Sequence, residues 1–243
     1  MKRFPLTYIL VVLLLLVAGT NDVYAQLPSS GNWPATTINA NTTISLTGDV
    51  NLKGNINVAS GNTLTILNET GKEITIRNQA TRTISMFTAT GTLIIKGKEG
   101  SGIIIDGGAD YTWDAVTMSL TPGADSKKVN TVIVNNGTLD LEHVTIQNAD
   151  SSNDNAAAID VSTKKTTTLT RCTIRNCRAR LGAAIMISSA AAKPDDSAVR
   201  VVDSFITQCV SGGNSTASAN NVGGAIRTYG SVTSNLYLTG VTL

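Results

Sequence analysis

The chain has 243 residues, a formal net charge of +2, 15% charged residues and only 4% aromatics. A charge balance this close to neutral supplies no long-range field, which excludes nucleic acid and anionic lipid as partners drawn in by bulk electrostatics. The abundance of Thr, Asn, Gly, Ile and Val suits strands and tight turns rather than helices.

In chain order, the first element is an export signal. Lys2 and Arg3 precede an apolar run over residues 9–17 and a small, polar stretch over 19–25, with Val23 and Ala25 at the −3 and −1 positions. This order predicts a secretory signal peptide over residues 1–25, cut before Gln26. Its apolar run is about half the ~20 residues needed to span a bilayer, so no transmembrane segment is expected after cleavage. The expected location is therefore exported: cell surface, outer membrane-associated or extracellular. Residues 26–43, with Trp33 and Pro34, are expected as an N-terminal cap segment, and residues 44–243 as one repetitive domain.

Within that domain, short alternating runs at 55–58, 63–67, 73–76, 83–87, 92–95 and 103–105 are separated by Gly, Asn and Asp. Alternation of this kind predicts strands joined by turns. The runs also repeat. Ile74-Thr75-Ile76-Arg77-Asn78 returns as Val144-Thr145-Ile146-Gln147-Asn148 and as Cys172-Thr173-Ile174-Arg175-Asn176, with weaker copies ending at Ile105, Ile206 and Leu243. Successive markers Ile76, Ile105, Ile146, Ile174, Ile206 and Leu243 lie 29, 41, 28, 32 and 37 residues apart. A floor near 28 with variable excess predicts a solenoid of about 28–30 residues per coil with extruded loops. Two further series keep step: Gly61-Asn62-Thr63-Leu64 with Gly91-Thr92-Leu93 and Gly137-Thr138-Leu139, and the small-residue runs that end at Ile159, Ile185 and Ile226. Three markers per repeat predict three strands per coil, with Ile and Val inward and Thr outward.

These repeats resemble the right-handed parallel β-helix proteins of the pectin-lyase-like fold, over roughly residues 44–243. Gly223-Gly224-Ala225-Ile226 matches the GGAI element of polymorphic outer-membrane and adhesin-like repeat proteins, and Gly182-Ala183-Ala184-Ile185 is one substitution away. The companion FxxN element departs: Ile stands for Phe, and Asn148 and Asn176 come one residue early. The resemblance implies an all-β, right-handed parallel β-helix. It is expected to be C-terminally incomplete, because residues 236–243 repeat the pattern of 139–146 and stop before the polar turn; an open apolar face there would promote self-association.

The candidate functional residues follow from this register. Asn78, Asn148, Asn176 and Gln208 share one coil position and are expected to stack as an amide ladder. Cys177 and Cys209 each follow a marker Ile by three residues, which makes them neighbours and candidates for a disulfide in an exported protein. The redox state of Cys172, Cys177 and Cys209 is left open. The single His143, between Leu141 and Val144, reads as a turn residue, having no nucleophile beside it. No close His or CxxC pair calls for a metal. Hydrolases of this fold pair acids with a Gly-His-Gly and a basic RxK; Asp195-Asp196 is the only adjacent Asp pair here and stands without them. A lyase would call for calcium held by strand-borne acids, and Asp106, Asp110 and Asp114 bound a loop instead.

That loop, residues 107–129, causes the 41-residue spacing and carries Asp110, Tyr111, Trp113 and Asp114, a set suited to stacking on a sugar and bonding its hydroxyls. The sequence therefore favours a secreted or cell-surface, non-enzymatic, adhesin-like or glycan-binding protein without cofactor, its partner a carbohydrate or a host or cell surface. A polysaccharide lyase or glycoside hydrolase is the first alternative, and a structural surface component the second.

Overall fold

The computed structural model describes residues 27–80, 83–123, 129–151, 156–162, 165–187, 199–211, 224–228 and 236–243; the signal segment, Asp195-Asp196 and Gly223 lie outside them. Among the described residues every regular element is a strand.

The strands recur in threes. The first coil holds β1 (Gly31–Trp33), β2 (Thr36–Ile38) and β3 (Thr42–Leu46), and the second β4 (Val50–Leu52), β5 (Ile56–Val58) and β6 (Thr63–Asn68). The third holds β7 (Ile74–Asn78), β8 (Thr83–Ala89) and β9 (Thr92–Lys96). The fourth begins with β10 (Ile103–Asp106), inserts β11 (Tyr111–Asp114) and β12 (Ser119–Pro122), and resumes with β13 (Val129–Asn135) and β14 (Thr138–Glu142). The fifth has β15 (Val144–Gln147), β16 (Asp150–Ser151), β17 (Ile159–Val161) and β18 (Thr167–Thr170). The sixth has β19 (Thr173–Ala179), β20 (Ile185–Ile187) and β21 (Val199–Val202), and the seventh β22 (Phe205–Ser211), β23 (Ile226–Thr228) and β24 (Leu236–Thr239).

Strands of one position pair in parallel from coil to coil, so three sheets run the length of the molecule. This is a parallel β-helix, as the repeats predict. In the first sheet, Ile105 pairs with Ile76 and Ile146, Ile146 with Ile174, and Ile174 with Ile206. In the second, Phe87, Ile133, Ile159, Ile185 and Ile226 are successive partners. In the third, Leu64, Leu93 and Leu139 align. All three rows point inward; every member is fully buried except Ile226, at the end of the row in the seventh coil. The period-two alternation turns the intervening Thr, Asn and charged residues to the outside.

Residues 31–46 form the first coil, so β1, β2 and the first two residues of β3 fall within the 26–43 segment expected as a cap. Gly31 pairs with Val50 and Thr42 with Leu64, shifts of only 19 and 22 residues. That coil is too short to show the 28-residue signature, which is why it escaped the repeat. Trp33 is fully buried in the core, and its indole N–H donates to the Pro28 carbonyl at 2.7 Å.

The Gly-Thr-Leu series also needs one correction. Gly61 lies in the left-handed region (φ 80°), but the residue aligned with Gly91 and Gly137 is Asn62, because Thr63 pairs with Thr92. Gly91 and Gly137 are required for a different reason: a Cβ at Gly137 would fall on the Gly91 carbonyl, and one at Gly91 on the carbonyls of Ala59 and Asn62. Coil-to-coil approach, not turn geometry, selects glycine at these two positions.

Candidate functional site

The 107–129 insertion leaves the solenoid between the first and second sheets of the fourth coil. It opens at Gly107, where any Cβ would meet the Asn148 carbonyl at 2.5 Å and Ala149 Cα at 3.0 Å. Backbone bonds fix its base: Gly107 N–H to Gln147 O (2.8 Å), Ala109 N–H to Asn148 O (3.0 Å) and Val129 N–H to Gly107 O (3.2 Å). Within this stretch, expected as a loop, β11 and β12 form an antiparallel hairpin, with Tyr111 opposite Pro122 and Asp114 opposite Ser119. Asp114 is used locally. Its carboxylate accepts the N–H groups of Val116 (2.8 Å) and Thr117 (3.2 Å) at the tip, and the Thr117 side chain first, then these N–H groups, hold its pKa below the usual carboxylate value. Val116 and Met118 stand exposed there.

The hairpin lies along the later coils, and what it covers is polar. Asp150 and Arg178, direct register partners, form an ion pair at 3.1 Å in which the carboxylate is 1% exposed and the guanidinium 19%. Arg178 in turn sits over the Tyr111 ring, 5.7 Å from its centroid, within cation–π range. The Tyr111 hydroxyl is buried beside the Asp150 carboxylate without closing a hydrogen bond of good geometry. Burial first, and the Asp150 charge second, raise the Tyr111 pKa well above its ordinary value. Ser151 Oγ, next to Asp150, is also buried without a partner.

Further along, Trp113 and Met118 of the hairpin face Thr207, Gln208 and Cys209 of β22 across a groove of about 590 Å³. Of the four residues singled out in this insertion, Tyr111 and Trp113 are thus half-buried against the solenoid, whereas Asp110 and Asp114 are exposed and stand apart from them in role.

A second polar structure runs along the outside of the first sheet, one residue after each marker Ile. Asp106 is nearly fully buried, and it accepts Arg77 (2.9 Å), Gly108 N–H (2.9 Å), Asn148 Nδ2 (3.1 Å) and Gln147 Nε2 (3.4 Å). Arg175 Nε donates to Gln147 Oε1 at 2.9 Å, so the column Arg77, Asp106, Gln147 and Arg175 is linked through four coils. Sequence reasoning looked one residue too far. The alternation of basic, acidic and amide side chains after Ile76, Ile105, Ile146 and Ile174 was the available signal, and so was the acid–base match of Asp150 and Arg178, each four residues after its marker.

The amide series itself has a different organisation from a continuous ladder. Asn148, Asn176 and Gln208 share a left-handed backbone (φ 58°, 53° and 52°), while Gly107 occupies this position in the fourth coil. Asn148 donates to Asp106, Asn78 accepts Ala80 N–H within its own turn at 3.2 Å, and Asn176 Oδ1 is buried without a partner. His143 belongs to a second left-handed series, with Arg171, Asp203 and Gly240 in register at the corner between the third and first sheets. Cys177 and Cys209 are register partners, and both are free thiols, as is Cys172.

The fold and these columns define a parallel β-helix whose described buried charges are committed to holding coil to coil. Residues 35–199 match the TamB C-terminal domain, a span running from β2 of the first coil to the start of β21 in the sixth, and the chain belongs to that family. Neither the curated proteins nor the solved structures yield a match to this chain. The match bears out the β-helix-like repeat architecture that the resemblance implied, and it gives no support to membership of the polymorphic-repeat or pectin-lyase-like proteins.

Proposed function

We propose that this protein is a non-catalytic structural or transport component of the cell envelope, acting within a translocation and assembly module for outer-membrane proteins. The observation that carries the reading is the family match, which coincides with the coils themselves rather than with an appended module. The chemistry of the surface supports it. Asp106 and Asp150 are each tied to an arginine of a neighbouring coil, and Lys96 is held by Asp140 (2.8 Å) and Glu142 (3.6 Å), so these charges serve axial cohesion. Seven coils at about 4.8 Å make a rigid rod of roughly 30 Å. The hairpin is read as a strap over that rod, since its tyrosine is engaged by Arg178 and its Asp114 by its own turn. This reading displaces the adhesin-like and glycan-binding one in favour of the structural alternative. An export signal over residues 1–25 agrees with a location outside the cytosol; among the described residues no helix is long and apolar enough to cross a membrane.

The test is made in the native host. Fractionation should place the tagged protein in the periplasmic or envelope fraction, and its deletion should change the abundance of outer-membrane proteins. A cytosolic protein, or an unchanged outer-membrane profile together with heat-labile release of reducing or unsaturated ends from acidic polysaccharides, would overturn the proposal.

A further inference from the structure

The three thiols are arranged unequally. We propose that Cys177 and Cys209 form an inter-coil disulfide that fastens the sixth coil to the seventh once the protein reaches an oxidising compartment. They are direct register partners on β19 and β22, so their Cα atoms stand at the strand spacing of about 4.8 Å, inside the range that disulfides adopt. Their side chains share one orientation: Cys177 Sγ donates to Arg175 O at 3.2 Å and Cys209 Sγ to Thr207 O at 3.3 Å, in each case the carbonyl two residues back. The sulfurs lie close enough to affect each other, since Cys177, pushed up mainly by burial, is raised further by Cys209. Closing the bond requires the two Cβ atoms to approach by about 1 Å from the parallel-strand spacing to reach the usual disulfide separation.

Access fixes the order of events. Cys177 is fully buried, whereas Cys209 is partly exposed and lines the groove beneath Trp113 and Met118. The Cys209 thiolate attacks one sulfur of a disulfide oxidant, either glutathione disulfide or a thiol–disulfide oxidoreductase, and expels one thiol to leave a mixed disulfide. Cys177 loses its proton and attacks Cys209 Sγ, which breaks the mixed bond and releases the second thiol. Two protein thiols are oxidised by two electrons while one oxidant disulfide becomes two thiols. Cys172 stays outside this chemistry. It is buried, its sulfur donates to Leu141 O (3.5 Å) and Thr170 O (3.4 Å), and the position aligned with it in the seventh coil is Ser204.

The proposal rests on the exported reading only for the source of oxidant, so the experiment is done on purified protein. Samples equilibrated with oxidised or reduced glutathione are denatured, blocked with N-ethylmaleimide, digested and analysed by mass spectrometry. Oxidation should give a Cys177–Cys209 cross-linked peptide with Cys172 still alkylated, and reduction should lower the thermal midpoint by roughly 5–10 °C. C209S should abolish both the cross-link and the redox dependence, and C172S should preserve both. Alkylation of all three cysteines after oxidation, or a bond through Cys172, would overturn the pairing. A bond that forms in vitro in a protein recovered from the cytosol would overturn the exported reading and leave the pairing standing.

Discussion

The first three coils and the last four turn the corner between the third and first sheets by different means. In the first three the corner takes residues 47–49, 69–73 and 97–102, and backbone and side-chain hydrogen bonds together satisfy it. Asn68 is the clearest case: its Nδ2 donates to Lys72 O (2.7 Å) and Gly102 O (3.0 Å), while its Oδ1 accepts the Thr70 N–H (3.1 Å). From the fourth coil onward one left-handed residue makes the bend: His143, Arg171, Asp203 and Gly240, with φ between 48° and 64°. A short corner keeps register strict but places non-glycine residues where their Cβ is crowded, at about 1 kcal/mol each. The buried polar groups differ in parallel. Among the described residues, those of the first three coils are Asn68, Asn78, Ser85 and Ser101, all neutral, whereas the buried carboxylates Asp106 and Asp150 belong to the fourth and fifth coils. The difference teaches that one backbone path can be kept by local hydrogen bonding or by cross-coil charge and packing, and that the second choice makes the later coils more sensitive to substitution and pH.

The largest expected effect lies at the ion pair. Asp150→Ala leaves Arg178, 19% exposed, without its buried carboxylate and should cost about 3–5 kcal/mol by denaturant unfolding. Asp106→Ala should cost less, about 1–2 kcal/mol, because Arg77 is 54% exposed and returns to water, leaving mainly the Asn148 and Gly108 donors unpaired. Equal losses would break the link between depth and cost.

A smaller effect is expected from alkaline pH. Burial raises the Cys172 thiol from 9.0 to about 12 and raises Tyr111 above its ordinary 10.0, so the fold favours their neutral forms. For groups with raised folded values, the stabilisation is complete below the unfolded pKa and is lost as pH rises toward the folded one. Stability should therefore fall progressively from about pH 9 upward under reducing conditions, with the Cys172 contribution spent by about pH 12. The fall should be shallower in C172S and, above pH 10, in Y111F; identical pH profiles for all three proteins would show that these groups are not the ones titrating.

The smallest effect concerns the corners. Arg171→Gly relieves a left-handed arginine and loses only an exposed 3.7 Å contact to Glu142, so it should raise stability by about 0.5 kcal/mol. Gly61→Ala, at φ 80°, should lower it by about 1 kcal/mol. A loss in both would mean that Arg171 has a role in the corner beyond its backbone angle.

The solenoid was legible because its core rows are long and the period of its first sheet is carried by Ile, which pairs with Ile from the third coil to the seventh. Markers from Ile76 to Ile206 give the register of the first sheet directly, and the small-residue runs before Ile159 and Ile185 give that of the second. The first coil was hidden by its brevity, and the insertion by its lack of repeat partners: nothing in residues 107–129 has a copy elsewhere, so periodicity could not distinguish a hairpin from a loop. The site residues were read in part. Tyr111 and Trp113 stood out as rare aromatics, but their neighbours Arg178 and Cys209 lie 67 and 96 positions further along the chain.

What the sequence determined by itself was therefore the repeating part: strands, inward rows, coil length and the alignment of Cys177 with Cys209. These depend on spacing, and spacing is written along the chain. Only the tertiary structure decided which polar groups are buried together, that Asp106 rather than the asparagines centres the outer column, and that Gly137 is needed for the approach of another coil. Those outcomes depend on which atoms come within 3 Å after about 30 residues have wound past, and a one-residue offset turns a side chain to the opposite face of its sheet.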